Sequence, residues 1–457
     1  MAFSIITTLA KKYFSFYFFS ILIIISFFIF LKKLDINYYQ CDEFQYLRKS
    51  KYFEFYRKRD FANPAWQEND AVDQAKLMEY IYWLPSFIID GKTFEKLAIQ
   101  ESPVGKNYYD YNYWSSVYGK SFNLLELTPK LKEVVILARI ISSFFTICYI
   151  ALTVFLIFLI FHSYLLSIFA FVFLSFHPII LIHGRQILAE SSLNFFLALS
   201  FLFLLFFWKN FWKGKKKQSL LFSLLAGIIS GLAASTKLNG FMQSLFYILI
   251  ILVTALLILF NKKEKKKLKK LKQLIFCSFV FLSLVFLVFY LIHPTIWKNP
   301  VLGVKRFIDW RLYITSFYQD VSSHESVRSI AKAFYLIFLR VPGYLIDVGS
   351  IGFIYENEFG SQNLWLYLVI NSAFFVLGII RFLYKLIREK NYYKTLEFFA
   401  FVWSLSIIVI VAFYLKLDWT RYYWPCFIPF LIIDFYGLKL FFRKKRKRDN
   451  KFSFRFL

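Results

Sequence analysis

Residues 240–272 read GFMQSLFYILIILVTALLILFNKKEKKKLKKLK. The first 21 positions carry no charge, and the next 12 carry eight lysines and one glutamate. A helix of about 20 apolar residues covers the roughly 30 Å hydrocarbon core of a bilayer. A lysine-rich run directly after it marks the cytoplasmic end, because cytoplasmic loops collect Lys and Arg. This juxtaposition decides the fold class, and it recurs along the chain.

Apolar runs of similar length fall at 13–31, 139–161, 164–182, 191–208, 219–236, 240–260, 274–292, 364–384, 396–415 and 424–442. They predict an all-α polytopic membrane protein of about ten spans forming one integral-membrane domain over 1–457. Alternating ten-residue strands, the mark of a membrane barrel, are absent from the sequence. With the N-terminus inside, the cytoplasmic segments are 209–218, 261–273, 385–395 and the tail from 443. The densest basic runs all lie there: Lys213 and Lys215 to Lys217, then Lys262 to Lys272, then Lys385, Arg388 and Lys390, then Arg443 to Arg448. Both termini are therefore expected in the cytoplasm.

The composition agrees. Of 457 residues 59% are hydrophobic, against about 45–50% for a soluble domain, and 61 Phe, 31 Tyr and 11 Trp outweigh 15 Gly and 10 Pro. Disorder is excluded by the apolar content, and a disulfide scaffold by length and only four Cys. The formal charge of +28 suits a nucleic-acid binder, but its cations sit in separate loops rather than on one face, so no nucleic acid is expected. Membrane lipids are the expected contact of those loops. Leu31-Lys32-Lys33 offers no small-residue cleavage site, and Tyr38-Tyr39-Gln40 before Cys41 is unlike a lipoprotein signal, so the first span is read as uncleaved. The cysteine spacing suggests no metal site.

Two long outer segments remain, 33–138 and 293–363. The first holds 15 of the 28 acidic residues and an amphipathic patch over 77–88, suited to the membrane surface. The stretch 331–356 is apolar but broken by Arg340, Pro342, Asp347 and glycines, and reads as interfacial or re-entrant.

Chemistry-bearing residues gather on the outer side. Asp42-Glu43 lies just beyond the first span, where a carboxylate can serve as general base to a membrane-bound substrate. Asp73 and Lys76 follow in DQAKL, Arg139 lies in LARIISSFF, and Arg185 and Glu190 in HGRQILAESS. Lys237 closes GIISGLAASTK, His293-Pro294 ends the seventh span, and Arg421 sits in LDWTRYYWP. Asp434 lies deeper in the last span. Taken singly each has a plainer reading: a solvated turn for the acidic pair, headgroup snorkelling for Arg185 and Lys237, a hydrogen-bonded structural residue for His293. No P-loop, dinucleotide fingerprint or HExxH is present.

In order and sidedness these motifs resemble the GT-C membrane glycosyltransferases, in particular the protein-mannosyltransferase and aminoarabinose-transferase-like superfamily. That pattern has an acidic pair after the first span, a DQPK-type stretch and an Arg opening the second span. A Thr-Lys follows a Gly-rich span, and an Arg-Tyr precedes the last one. The resemblance implies a large first outer loop with interfacial helices. It implies transfer of a sugar from a polyprenyl-phosphate donor to a protein, lipid or glycan acceptor at the extracytoplasmic face, with inversion. Asp42 would be the general base, with Glu43 beside it. Lys76, Arg139, Arg185, Lys237 and Arg421 would hold the donor phosphate, and Asp73, Glu190 and His293 would form a second acidic or acceptor site. No cofactor is expected; Asp42-Glu43 could coordinate a divalent ion, but with no clear extra ligands in the sequence a metal requirement is left open, and the location is the cytoplasmic membrane. Ala75 stands where Pro is usual, and His293 where Asn is common. The competing reading is a multi-pass transporter or lipid-linked saccharide flippase with Asp434 as its proton site; the absence of an internal repeat speaks against it.

Overall fold

The computed structural model describes residues 2–32, 34, 38–39, 41–73, 76–94, 96–97, 122–123, 128–260, 266–321, 326–341 and 364–441. Within them the chain is helical apart from 3₁₀ turns, one isolated bridge and a two-residue antiparallel ladder. The ladder joins β1 (Tyr38–Tyr39) to β2 (Phe122–Asn123), with Tyr38 opposite Asn123, and so ties the two ends of the first outer segment.

Helix α1 (Ala2–Leu31) leads into the short helices α2 (Cys41–Lys49), α3 (Lys51–Arg57), α4 (Asn69–Asp73), α5 (Lys76–Ile81) and α6 (Trp83–Asp90). The bundle follows: α7 (Pro129–Phe161), α8 (Tyr164–Phe176), α9 (Pro178–His183), α10 (Glu190–Trp212), α11 (Lys216–Thr236), α12 (Met242–Phe260) and α13 (Lys267–Ile292). Then come α14 (Pro300–Val321), α15 (Ile330–Arg340), α16 (Leu364–Arg388), α17 (Leu396–Tyr414) and α18 (Phe427–Leu438). Each of the ten predicted ranges carries helix. Six of these helices are long and apolar enough to cross a membrane by length and composition: 129–161, 190–212, 216–236, 238–260, 267–292 and 396–414. Shorter apolar helices lie at 17–31 and 164–176.

Of the boundaries that differ from the sequence reading, three have clear local reasons. The span expected over 164–182 breaks at His177, because Pro178 has no N–H and forces the residue before it out of helical geometry. His177 is extended there, at φ −69° and ψ 124°, and its ring accepts from the Ile179 N–H, starting α9. The last span, expected over 424–442, begins as a 3₁₀ segment, Thr420–Cys426, and is α-helical only from Phe427. Conversely, α7 starts ten residues before Arg139, with Pro129 in its first turn where a missing N–H costs nothing.

Lipid tails are as apolar as leucine, so contacts between spans are held mainly by close packing rather than by exclusion of water. α11 approaches α13 through Gly227 and Gly231. A Cβ on the first would lie 2.8 Å from the Phe281 carbonyl oxygen, and one on the second 2.7 Å from Val288 Cβ. Away from such seams the bundle is apolar outside. α12 exposes Leu245, Leu249, Leu252, Leu256 and Leu259, a single stripe at helical spacing that suits lipid.

The short helices α2 to α6 form their own small cores. Tyr46, Leu47, Met78 and Tyr82 pack against Leu131, Val135 and Ala138 of α7. Of the amphipathic patch expected over 77–88, Leu77 and Ile81 pack inward, whereas Leu84, Phe87 and Ile88 are exposed. The segment expected to be interfacial or re-entrant contributes α15; 342–356 lies outside the described residues.

Candidate active site

Consecutive spans run antiparallel, so the N-terminus of α10, the C-termini of α11 and α13, and the segment before α18 meet at one end of the bundle. This is the end opposite the lysine-rich connections. Glu190 opens α10, where the positive end of the helix dipole favours a carboxylate. Its Oε1 lies 2.6 Å from Lys237 Nζ and 3.6 Å from Arg421 Nε. Lys237 sits there because α11 ends at Thr236 and the chain turns extended, with Lys237 at φ −159°. Aromatic faces hold both cations: Lys237 Nζ lies 4.8 Å from the Tyr422 ring centroid, and Arg421 Cζ 4.7 Å from that of Trp419. The Lys237 and Arg421 side chains are 17% and 11% exposed, the Glu190 side chain 4%. Two cations thus meet on one oxygen of a single carboxylate, and both keep part of their side chains exposed.

Glu43 is placed differently. It is fully buried and paired with Arg139 in a two-pronged contact, Nε to Oε1 at 2.9 Å and Nη2 to Oε2 at 2.8 Å. Oε1 also accepts from the Ile187 N–H at 2.9 Å, and Arg139 Nη1 donates to the Leu34 carbonyl at 3.0 Å. This pair locks the start of the outer segment to α7 and to the turn before α10. Asp42 lies within α2, but its side chain is outside the described residues.

A third group lies around α4 and α5. Asp73 is paired with Lys49 and accepts from Trp310 Nε1 at 3.1 Å, while Arg311 Nη2 donates to the Asp73 carbonyl at 2.7 Å. Burial alone would raise the Asp73 carboxyl, but Lys49 and Arg311 hold it down at about 2. Lys76, fully buried, pairs with Glu79 at 2.5 Å and lies 4.2 Å from the Tyr52 ring centroid. Burial disfavours both charges, drawing the Lys76 ammonium down and pushing Glu79 up to about 7. His293 caps the end of α13. Its Nε2 accepts from the Lys76 N–H at 3.2 Å, which puts the proton on Nδ1, 2.7 Å from the Phe289 carbonyl. Burial holds this ring neutral, down at about 3.

The five expected phosphate cations therefore divide among several partners. Lys237 and Arg421 meet on Glu190, Arg139 on Glu43 and Lys76 on Glu79. Arg185 Nη2 donates at 2.6 Å to the Ile29 carbonyl at the end of α1. Of the second acidic set, His293 lies beside Lys76, Asp73 beside Lys49, and Glu190 in the cationic cluster.

Several participants escaped the sequence reading. Glu79 follows Lys76 by three residues, one helical turn, and that spacing is a legible signal. Trp310 and Arg311 lie on α14, which was read only as part of a loop. Arg340 of α15 grips Asp418, Nη2 to Oδ2 at 2.7 Å, and Tyr423 donates to Asp418 Oδ1 at 2.6 Å. That triad fixes the segment carrying Arg421 and had no local signature. Among the described residues no group of three His, Cys, Asp or Glu side chains is arranged to hold a metal ion.

Residues 95–297 match the family model of the dolichyl-phosphate-mannose-protein mannosyltransferases. The stretch includes Arg139, Arg185, Glu190, Lys237 and His293, and bears out the resemblance read from the motifs. No curated protein matches the chain. Among solved structures, the chain is similar to the crystal structure of ArnT from Cupriavidus metallidurans bound to undecaprenyl phosphate, at 15% identity and a TM-score of 0.47. That match covers 92% of this chain and 59% of the other, so the chain spans less than two thirds of the neighbour's length.

Proposed function

We propose that the protein is an integral-membrane glycosyltransferase that takes its sugar from a polyprenyl-phosphate carrier. The family match supports this reading, and the single observation that carries it is the Glu190 cluster. There two cations share one carboxylate at the end of the bundle opposite the lysine-rich connections. In such a transfer the acceptor oxygen or nitrogen attacks the anomeric carbon, the bond from that carbon to the phosphate oxygen breaks, and polyprenyl phosphate leaves. Negative charge grows on the phosphate, so cations fixed beside it stabilise the transition state more than the bound donor. Lys237 and Arg421 are set for this, with Glu190 holding them in place until phosphate arrives.

Asp42 is the proposed base that removes the acceptor proton, and attack from the face opposite the phosphate inverts the anomeric centre. About ten spans, termini in the cytoplasm and a site facing outward in the cytoplasmic membrane complete the reading. The sugar is a hexose or pentose, and the acceptor a protein, lipid or glycan. Asp42→Asn is expected to abolish transfer from a polyprenyl-phosphate sugar while donor binding, measured by tryptophan quenching, stays within about twofold; retained transfer would remove Asp42 from the mechanism.

A second reading keeps one foothold. Asp434 is buried in α18, and its Oδ1 has no hydrogen-bond partner among the described residues. A proton-coupled transporter would use such a carboxyl. Proton-driven solute uptake in proteoliposomes, lost in Asp434→Asn, would favour it over transfer.

A further inference from the structure

The lysine-rich end of the bundle holds a groove of about 590 Å³ between α11 and α13. The two helices close on each other through Gly227 and Gly231, and nearer the groove through Ser223, whose Oγ donates to the Cys277 carbonyl at 2.7 Å. Leu220 faces Gln273 and Phe276 across an open cleft with an apolar floor.

Four lysines rim this cleft: Lys216 and Lys217 from the first turn of α11, Lys269 and Lys272 from the first turns of α13. The lining contains no acidic residue, and none of the four has a carboxylate partner among the described residues. Both helices begin here, at Lys215 and Lys266, and neither residue caps its helix with its side chain. Lysines at a helix N-terminus oppose the macrodipole, and four together repel one another. Topology explains why lysines lie on this side of the membrane. It does not explain an apolar cleft running between them. Gln273 lines the same cleft, and its Nε2 is buried without an acceptor among the described residues.

We propose that this cleft binds one anionic phospholipid from the leaflet on the lysine-rich side. Its phosphate lies among the four lysines, and one acyl chain follows Leu220, Phe276 and Cys277. α11 has 21 residues, so the site lies roughly 30 Å from Lys237 at the other end of the same helix. It is separate from the proposed donor site and does not depend on that reading.

The test is native mass spectrometry of the full-length protein, titrated with phosphatidylglycerol and, separately, with phosphatidylcholine. One phosphatidylglycerol should bind at least tenfold more tightly than phosphatidylcholine. The variant Lys216→Gln/Lys217→Gln/Lys269→Gln/Lys272→Gln should lose that preference. Leu220→Trp fills the cleft and keeps every lysine, so membrane orientation is preserved, and it should weaken phosphatidylglycerol by a similar factor. Inorganic phosphate at millimolar concentration should not displace the lipid. Equal binding of both lipids, unchanged binding in Leu220→Trp, or full displacement by inorganic phosphate would each overturn the proposal.

Discussion

Glu43 with Arg139 and Glu190 with Lys237 and Arg421 are built from the same chemistry, on neighbouring parts of one bundle end, yet they are suited to different work. In the first, each prong of the guanidinium meets one carboxylate oxygen, neighbouring backbone groups take part, and both side chains are buried. In the second, two cations compete for one oxygen and keep an exposed edge. A buried pair whose charges cancel is a fastener, because adding an anion would require breaking it. A partly exposed cluster with two cations on one carboxylate oxygen suits the receptor proposed above, since an incoming anion can reach both cations. Pairing geometry and exposure separate the anchor from the proposed site here better than motif position does.

The comparison breaks most easily at the anchor, where the largest effect is expected. Glu43→Gln or Arg139→Met leaves the partner buried and uncompensated, a loss of about 3–5 kcal/mol. Monodisperse protein should largely disappear from size-exclusion profiles. The double variant Glu43→Leu/Arg139→Met removes both charges and should recover most of it. If the double variant also transfers sugar, Glu43 has no part in catalysis; if it folds but is inactive, the neighbouring Asp42 needs Glu43 for more than position.

The receptor side should respond in rate rather than folding. Lys237→Gln or Arg421→Gln removes a cation from the developing phosphate charge, worth about 10²–10³ in kcat by comparison with oxyanion donors. The thermal midpoint should change little, because both side chains are partly exposed. The double variant should be less than multiplicative, since the two cations share Glu190. A large thermal shift with unchanged kcat would make this cluster a second anchor and dissolve the distinction.

The spans were legible because an apolar run followed by lysines leaves few alternatives in a membrane. The breaks were less so: His177-Pro178 carried its signal in the proline, but the 3₁₀ start of the last span depends on how Asp418, Arg340 and Tyr423 hold the chain. In the candidate site the residue types were readable and the pairings were not. Arg139 and Glu43 are 96 positions apart, and Arg421 and Glu190 more than twice that. Nothing local tells a cation which carboxylate it will meet. Glu79 was missed as well, although its spacing of one helical turn from Lys76 is a local signal of contact.

The smallest effect tests the third group, which holds both kinds of partner around Lys76. Glu79 is pushed from 4.5 to about 7 by burial, so the folded chain holds its proton more tightly than the unfolded one. Its contribution to stability is full below about pH 4.5 and is lost as pH rises through 7. His293 is depressed from 6.5 to about 3, so its contribution is present above pH 6.5 and is lost as pH falls towards 3. Between pH 4.5 and 6.5 the two slopes oppose, each at most about 1.4 kcal/mol per pH unit. Asp73, held at about 2, has finished titrating below this window, and Lys76 is common to every variant compared. Relative to wild type, Glu79→Gln should therefore make thermal midpoints rise more with pH across the window, and His293→Asn should make them rise less or fall. Parallel profiles for all three proteins would mean that neither group is buried as tightly as its contacts with Lys76 require, and that this part of the outer segment opens as the receptor does rather than closing as the anchor does.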